Sequence, residues 1–158
     1  MSDVVVEVAS READFIQARD LFEEYARWLN LDLCFQGFAE ELTTIAQMYA
    51  NPKGCLFVAR KHLHAVARGC VGVREFENHT AELKRLFVGD DMRGLGAGLQ
   101  LTQRALAFAK QAGYERIVLD TLPSMKSAAR IYEALGFAEI APYYHNPLPG
   151  VRYLGLKF

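Results

Sequence analysis

Between residues 93 and 98 the chain reads Arg93-Gly94-Leu95-Gly96-Ala97-Gly98, three glycines in five positions at the opening of a helical pattern. Glycine inside a helix costs about 1 kcal/mol relative to alanine. Such a helix start suits a backbone that another molecule must approach closely. The first amides of a helix lack intrahelical acceptors and sit at the positive end of its dipole, so the segment predicts an anion site fit for a pyrophosphate. Ahead of it Glu82 to Val88 reads as a strand. Behind it Leu95, Leu99, Thr102, Leu106 and Ala109 form one stripe of a helix over 95–112, with Gly113 placed for a left-handed C-terminal cap.

Two phosphate-binding motifs can be weighed against this segment. A Walker loop needs Lys-Ser or Lys-Thr after its last glycine, and Leu99-Gln100 stands there instead. A dinucleotide fold is favoured by Asp120, which ends the next strand about 20 residues on, where a ribose-binding acid would sit. It is opposed by the Gly-x-Gly-x-Gly spacing, by Gly89-Asp90-Asp91-Met92 between strand and glycines, and by the short remaining chain.

The other elements read in order. Val4 to Ala9 is a strand, with Ser10 as the expected cap of a helix over 12–29 whose apolar face carries Phe15, Ala18, Phe22, Tyr25 and Leu29. Trp28 is expected to extend that packed face. One further helix carries Leu42, Ile45 and Tyr49 and stops at Asn51-Pro52-Lys53-Gly54. Cys55 to Ala59, Ala65 to Phe76 and Glu82 to Val88 are strands joined by short turns, hence an antiparallel meander. Arg116 to Asp120 is a buried strand, and Ser124 is the expected cap of a last helix with Ala128, Ile131, Tyr132 and Leu135. Phe137 to Ile140 and Arg152 to Lys157 are strands around a proline-rich excursion.

Composition narrows the class. With 18 Lys and Arg against 19 Asp and Glu, the net charge of −1 supplies no basic field for nucleic acid. No apolar run is long enough to span a membrane, and MSDVVVEVAS lacks the features of a signal peptide, so a cytoplasmic location is expected. Cys34, Cys55 and Cys70 form no CxxC pair and read as reduced core thiols. His62, His64, His79 and His145 are scattered over turns, so no metal is expected.

Arg93, Gly96 and Gly98 satisfy the pattern (Arg or Gln)-x-x-Gly-x-(Gly or Ala), set after the strand Leu83 to Val88 and opening a helix. The run Ala128 to Phe137 places Tyr132 four residues ahead of Gly136-Phe137. In these motifs and in element order the whole chain resembles the GNAT superfamily of N-acetyltransferases. The resemblance implies an α/β (α+β) fold, a GNAT-like mixed sheet of about seven strands flanked by about four helices, with residues 1–158 as one acetyltransferase domain.

It implies acetyl-CoA as cosubstrate and direct attack of a primary amine on the thioester. The backbone of Leu86, Phe87 and Val88 would pair with pantetheine. Arg93, Gly94, Leu95, Gly96, Ala97, Gly98 and Leu99 would cradle the pyrophosphate. Tyr132 matches the family's acid for the departing thiolate, and Glu82 stands where some members carry a base. Glu82 shares a strand face with Lys84, so an ion pair between them is the competing reading. Many relatives place Asn seven residues before the tyrosine, where this chain has Met125; Ser124 or Ser127 is the expected substitute toward the cofactor. The acceptor, a small-molecule or peptide amine, should lie between the Leu31 to Phe38 and Tyr143 to Gly150 loops. Tyr143 and Tyr144 there either stack on it or fold the loop onto itself. Nucleic acid, membrane and metal are not expected as partners, and a homodimer stays open. The competing functions are a non-catalytic acyl-CoA sensor and a dinucleotide-binding oxidoreductase.

Overall fold

The computed structural model describes residues 3–158; Met1 and Ser2, part of the N-terminal stretch read above, lie outside the described residues. Among the described residues seven strands form one sheet: β1 (Val5–Val8), β2 (Cys55–Arg60), β3 (Gly69–Glu77), β4 (Thr80–Val88), β5 (Arg116–Thr121), β6 (Ala138–Glu139) and β7 (Arg152–Lys157). Their order is β1-β2-β3-β4-β5-β7-β6, and every neighbouring pair is antiparallel except β4–β5. The meander expected of β2, β3 and β4 is present. The parallel pair follows from the α4 crossover (Ala97–Gln111), since a two-residue turn cannot bring a strand back in the same direction.

Two layers of helix cover the sheet. Leu101, Ala105 and Ala109 of α4 pack with Val71, Val73, Leu83, Ile117 and Leu119 on one face. On the other, Ala18, Leu21, Phe22 and Tyr25 of α1 (Glu12–Leu29) pack with Leu56, Val58, Cys70 and Phe87. Alternate strand residues serve opposite faces, so both layers are apolar and the sheet is closed to water over most of its length.

Several boundaries differ from the sequence reading. Ser10 is not the α1 cap: Arg11 occupies that position, and Asp14 accepts the backbone N–H groups of Ser10 and Arg11, each at 3.1 Å. The single helix expected after residue 38 is two short ones, α2 (Phe38–Thr43) and α3 (Ile45–Met48). The break falls where Thr43 and Thr44 turn their hydroxyls back onto the Glu40 carbonyl, competing with helical bonding. Five α-helices among the described residues therefore flank the sheet, the last being α5 (Lys126–Ala134) with Met125 as its N-cap. Ser124 lies one residue too early to serve there. Cys34 is exposed; only Cys55 and Cys70 are core thiols.

Candidate active site

β4 and β5 pair only at Thr80–Arg116, Ala81–Ile117 and Glu82–Val118, and then part. From Leu83 to Val88 the β4 edge toward β5 has no strand partner among the described residues, although its other edge stays paired with β3 as far as Val88. A bulge turns this edge. Cys70 faces Phe87 and Gly72 faces Lys84, so β4 carries one residue more than β3 over the same span. Arg85 takes the extra position with φ +62°, a left-handed conformation costing a non-glycine residue about 1–2 kcal/mol.

A buried ion pair holds the bulge. Arg85 donates to Glu41 of α2 from Nε at 3.0 Å and Nη2 at 2.7 Å, and the Tyr49 hydroxyl adds a third bond to Glu41 at 2.7 Å. Phe38 and Tyr25 rings lie against the guanidinium, and the Cys70 thiol donates to the Arg85 carbonyl. Burial alone would raise the Glu41 carboxyl, but the bonds and charge of Arg85 hold it below its usual range.

Where the strands part, a cleft of about 550 Å³ opens and runs to the start of α4. Of the residues expected to bind cofactor, Leu86, Phe87, Val88, Arg93, Gly94, Gly96, Ala97, Gly98, Leu99 and Ser127 line it, and Leu95 does not. Gly94 and Gly96 have φ +80° and +81°, with nothing within 4 Å of an added Cβ at Gly94, so both serve conformation and an open approach. Gly98 acts differently: a Cβ there would meet Ile131 Cδ1 of α5 at 3.0 Å. Lys126 and Arg130 also line the cleft and join no ion pair among the described residues. An unpaired strand edge leading to open helix amides with a basic rim fits a long amide-bearing arm that ends in phosphates.

Trp28 is a correction. It is 43% exposed, lines the cleft and lies beneath the Arg93 guanidinium at 5.4 Å, where packing into the core had been expected. Helical spacing placed its residue number beside the apolar face without revealing that α1 overhangs the opening. Tyr25 and Met125 line the same cleft, and the Tyr25 hydroxyl donates weakly to Met125 Sδ at 3.9 Å. Burial pushes the Tyr25 phenol up to about 12.

Tyr132 stands in the core on α5, 2% exposed, with its ring against Phe137 and outside the cleft lining. Burial, with the nearby Tyr25 and Asp120, pushes its phenol well above the ordinary value, so it stays protonated. Glu82 is buried and does not pair with Lys84. Its Oε1 meets Arg74 Nε and Nη2, each at 2.9 Å, and its Oε2 accepts the Tyr143 hydroxyl at 2.7 Å.

The loop after β6 is folded onto itself. Tyr143 packs on Phe76, Tyr144 and Tyr153, and Tyr153 donates to the Tyr144 carbonyl. Each loop tyrosine holds one carboxylate: Tyr143 on Glu82, Tyr144 on Asp120, the latter also bonded by Asn146 Nδ2 at 2.7 Å. These long-range pairs have no local signature in the sequence. Among the described residues no group of His, Cys, Asp and Glu gathers as a metal site, and no helix is long and apolar enough to cross a membrane.

The family described as Acetyltransferase (GNAT) family matches residues 17–137. An N-acetyltransferase of Schizosaccharomyces pombe is 36% identical over 157 residues, covering 99% of this chain and 96% of the relative. An acetyltransferase structure from Streptococcus agalactiae 2603 superposes with a TM-score of 0.81 over the full length of both chains at 23% identity, a likeness of fold. A Bacillus anthracis structure solved in complex with acetyl coenzyme A superposes with a TM-score of 0.59 at 25% identity, over 71% of this chain and 67% of that one.

Proposed function

The chain belongs to the GNAT acetyltransferase family and is an acetyl-CoA-dependent N-acetyltransferase, and from that premise we propose how its own residues divide the work. The unpaired β4 edge at Leu86, Phe87 and Val88 receives the pantetheine arm as a strand would. The α4 start from Arg93 to Leu99, with Ser127 across the cleft, holds the pyrophosphate. The same reading takes residues 1–158 as one acetyltransferase domain.

Acetyl-CoA brings an acyl group activated as a thioester. The acceptor amine must lose a proton to attack, and the coenzyme A sulfur must gain one as it leaves. Glu82 takes the first through Tyr143: the phenol passes its proton to Oε2 as it accepts one from the amine. Tyr132, one position past the cleft-lining Ile131 on α5 though not in the lining itself, is the donor assigned to the second, its hydroxyl kept protonated by burial. The new C–N bond forms as the C–S bond breaks, giving an amide and the free thiol.

The observation that carries this reading is the splay of β4 from β5 opening directly onto the glycine start of α4. The test is free thiol release from acetyl-CoA in the presence of a panel of primary amines, with binding followed by calorimetry. Turnover on an amine with stoichiometric acetyl-CoA binding is expected. Binding without thiol release on any amine would make the chain a sensor, and absence of binding would overturn the cleft assignment.

A further inference from the structure

Past the last β4–β5 pair, two charged side chains are left over. Glu82 pairs with Val118, so in the continuing parallel register Lys84 and Asp120 are the next residues on the same sheet face, on strands that have now parted. Four other charged groups near them are already matched. Glu82 is taken by Arg74 and the Tyr143 hydroxyl, and Glu41 by Arg85 and the Tyr49 hydroxyl. Among the described residues, neither Lys84 nor Asp120 joins an ion pair, with each other or with any other group.

Asp120 is half-buried and receives two neutral donors, the Tyr144 hydroxyl and Asn146 Nδ2, both on Oδ2. Its Oδ1 accepts no bond from the described residues. A partly desolvated carboxylate with one oxygen unused and no cation beside it suits an incoming ammonium. Lys84 is its counterpart. Burial and the neighbouring Arg85 push its ammonium below the ordinary value, and the charges of Glu82 and Glu41, each already bonded to an arginine, offset only part of that, so the cation is short of compensation. A carboxylate arriving there would supply it.

Resting on the acetyltransferase reading above, we propose that the acceptor is a zwitterion, a free amino acid, held with its ammonium on Asp120 Oδ1 and its carboxylate on Lys84. The two unmatched groups have opposite sign and stand on one sheet face of diverging strands, Asp120 on the wall of a small pocket that shares Tyr25 and Met125 with the cleft, so they bracket a small molecule bearing both charges. A simple amine would leave Lys84 uncompensated, and an acceptor blocked at its carboxyl end would do the same. The ammonium on Asp120 then lies beside Tyr143, whose ring packs on Tyr144 at 5.3 Å, and so beside the proton path to Glu82.

The experiment follows thiol release from acetyl-CoA with each proteinogenic L-amino acid, its carboxamide and its decarboxylated amine. Calorimetric titration of the preferred amino acid into the coenzyme A-bound protein gives a second readout. The expected result is a kcat/KM for an amino acid roughly 10- to 100-fold above that of its carboxamide, the range of one charge-assisted contact. Lys84→Met should bring that ratio to within about 3-fold, and Lys84→Arg should keep most of it. Retained acetyl-CoA affinity serves as the check on folding. Equal or better use of the carboxamide or the decarboxylated amine overturns the proposal. So does a Lys84→Met variant that keeps the preference, or a protein that binds acetyl-CoA and turns over no amino acid. Failure to bind acetyl-CoA at all would overturn the proposed function itself.

Discussion

Removing Glu41 should unfold much of the protein's stability margin and take the cleft with it. The Arg85 side chain is 3% exposed and the Glu41 side chain 1%, so Glu41→Ala leaves a guanidinium in the core with only aromatic faces beside it. Breaking such a pair by deleting one partner costs about 3–5 kcal/mol, and for a chain of this size each kcal/mol moves the melting temperature by roughly 2–4 °C. A fall of about 6–20 °C is expected in a thermal melt. The paired change Glu41→Leu with Arg85→Met removes both charges and should recover most of it. The acid limb gives an independent check. Glu41 is held below its ordinary carboxyl value, so its contribution is complete above that value and fades as pH falls through the lower folded one. The paired variant should lack that part of the acid loss. A Glu41→Ala melt within about 2 °C of wild type would refute the claim that this ion pair holds the bulge.

Tyr132→Phe keeps the packed ring and removes the hydroxyl, so turnover should fall by roughly 100-fold with little change in melting temperature. Unchanged turnover would remove Tyr132 from proton transfer, and Tyr25→Phe, on the cleft wall, would be the next variant measured. Glu82→Gln should slow the reaction most near neutral pH, with part of the rate returning at higher pH as solvent deprotonates the amine. A pH–rate profile of unchanged shape would assign Glu82 to the ion pair with Arg74 alone. Asp14 is buried, and although burial raises its carboxyl, the backbone N–H groups of Ser10 and Arg11 just ahead of α1, with the Arg11 and Arg60 guanidinium groups (Arg60 at 2.6 Å), hold it down to about 2. Its stabilisation is present above its unfolded value of 3.8 and lost as pH falls toward 2. Asp14→Asn should therefore melt lower than wild type at neutral pH, the gap closing between about pH 4 and 2.

What could be read from the chain was what local physics determines. The α1 stripe gave bounds of 12 and 29 that the structure repeats, and the glycines announced the α4 start because their cost has a local cause. The bulge was hidden because a left-handed arginine has no composition of its own. The adjacent cations Lys84-Arg85 within a strand were the available signal, since strict alternation would put them on opposite faces. Arg85 needs Glu41 across 44 residues, and Tyr143 and Tyr144 reach Glu82 and Asp120 across 61 and 24. Contacts at such separations follow from the sheet order, which periodicity does not supply. Glu82 and Lys84 share a face as read, yet Arg74 on the neighbouring strand reaches the carboxylate in place of Lys84.

The central claim, that the glycine start of α4 seats the phosphates of acetyl-CoA, is tested most directly by calorimetric titration of acetyl-CoA into wild type and Gly96→Asp. Gly96 stands at φ +81° with only Gln100 Nε2, at 3.9 Å, near an added Cβ. An aspartate there would strain the turn, fill the approach and set a carboxylate against the pyrophosphate. Loss of a few such contacts costs about 2–4 kcal/mol, roughly 30- to 1,000-fold in affinity. A folded variant that binds acetyl-CoA that much more weakly is the predicted result. A folded variant with wild-type affinity would contradict the account and move the phosphate site elsewhere.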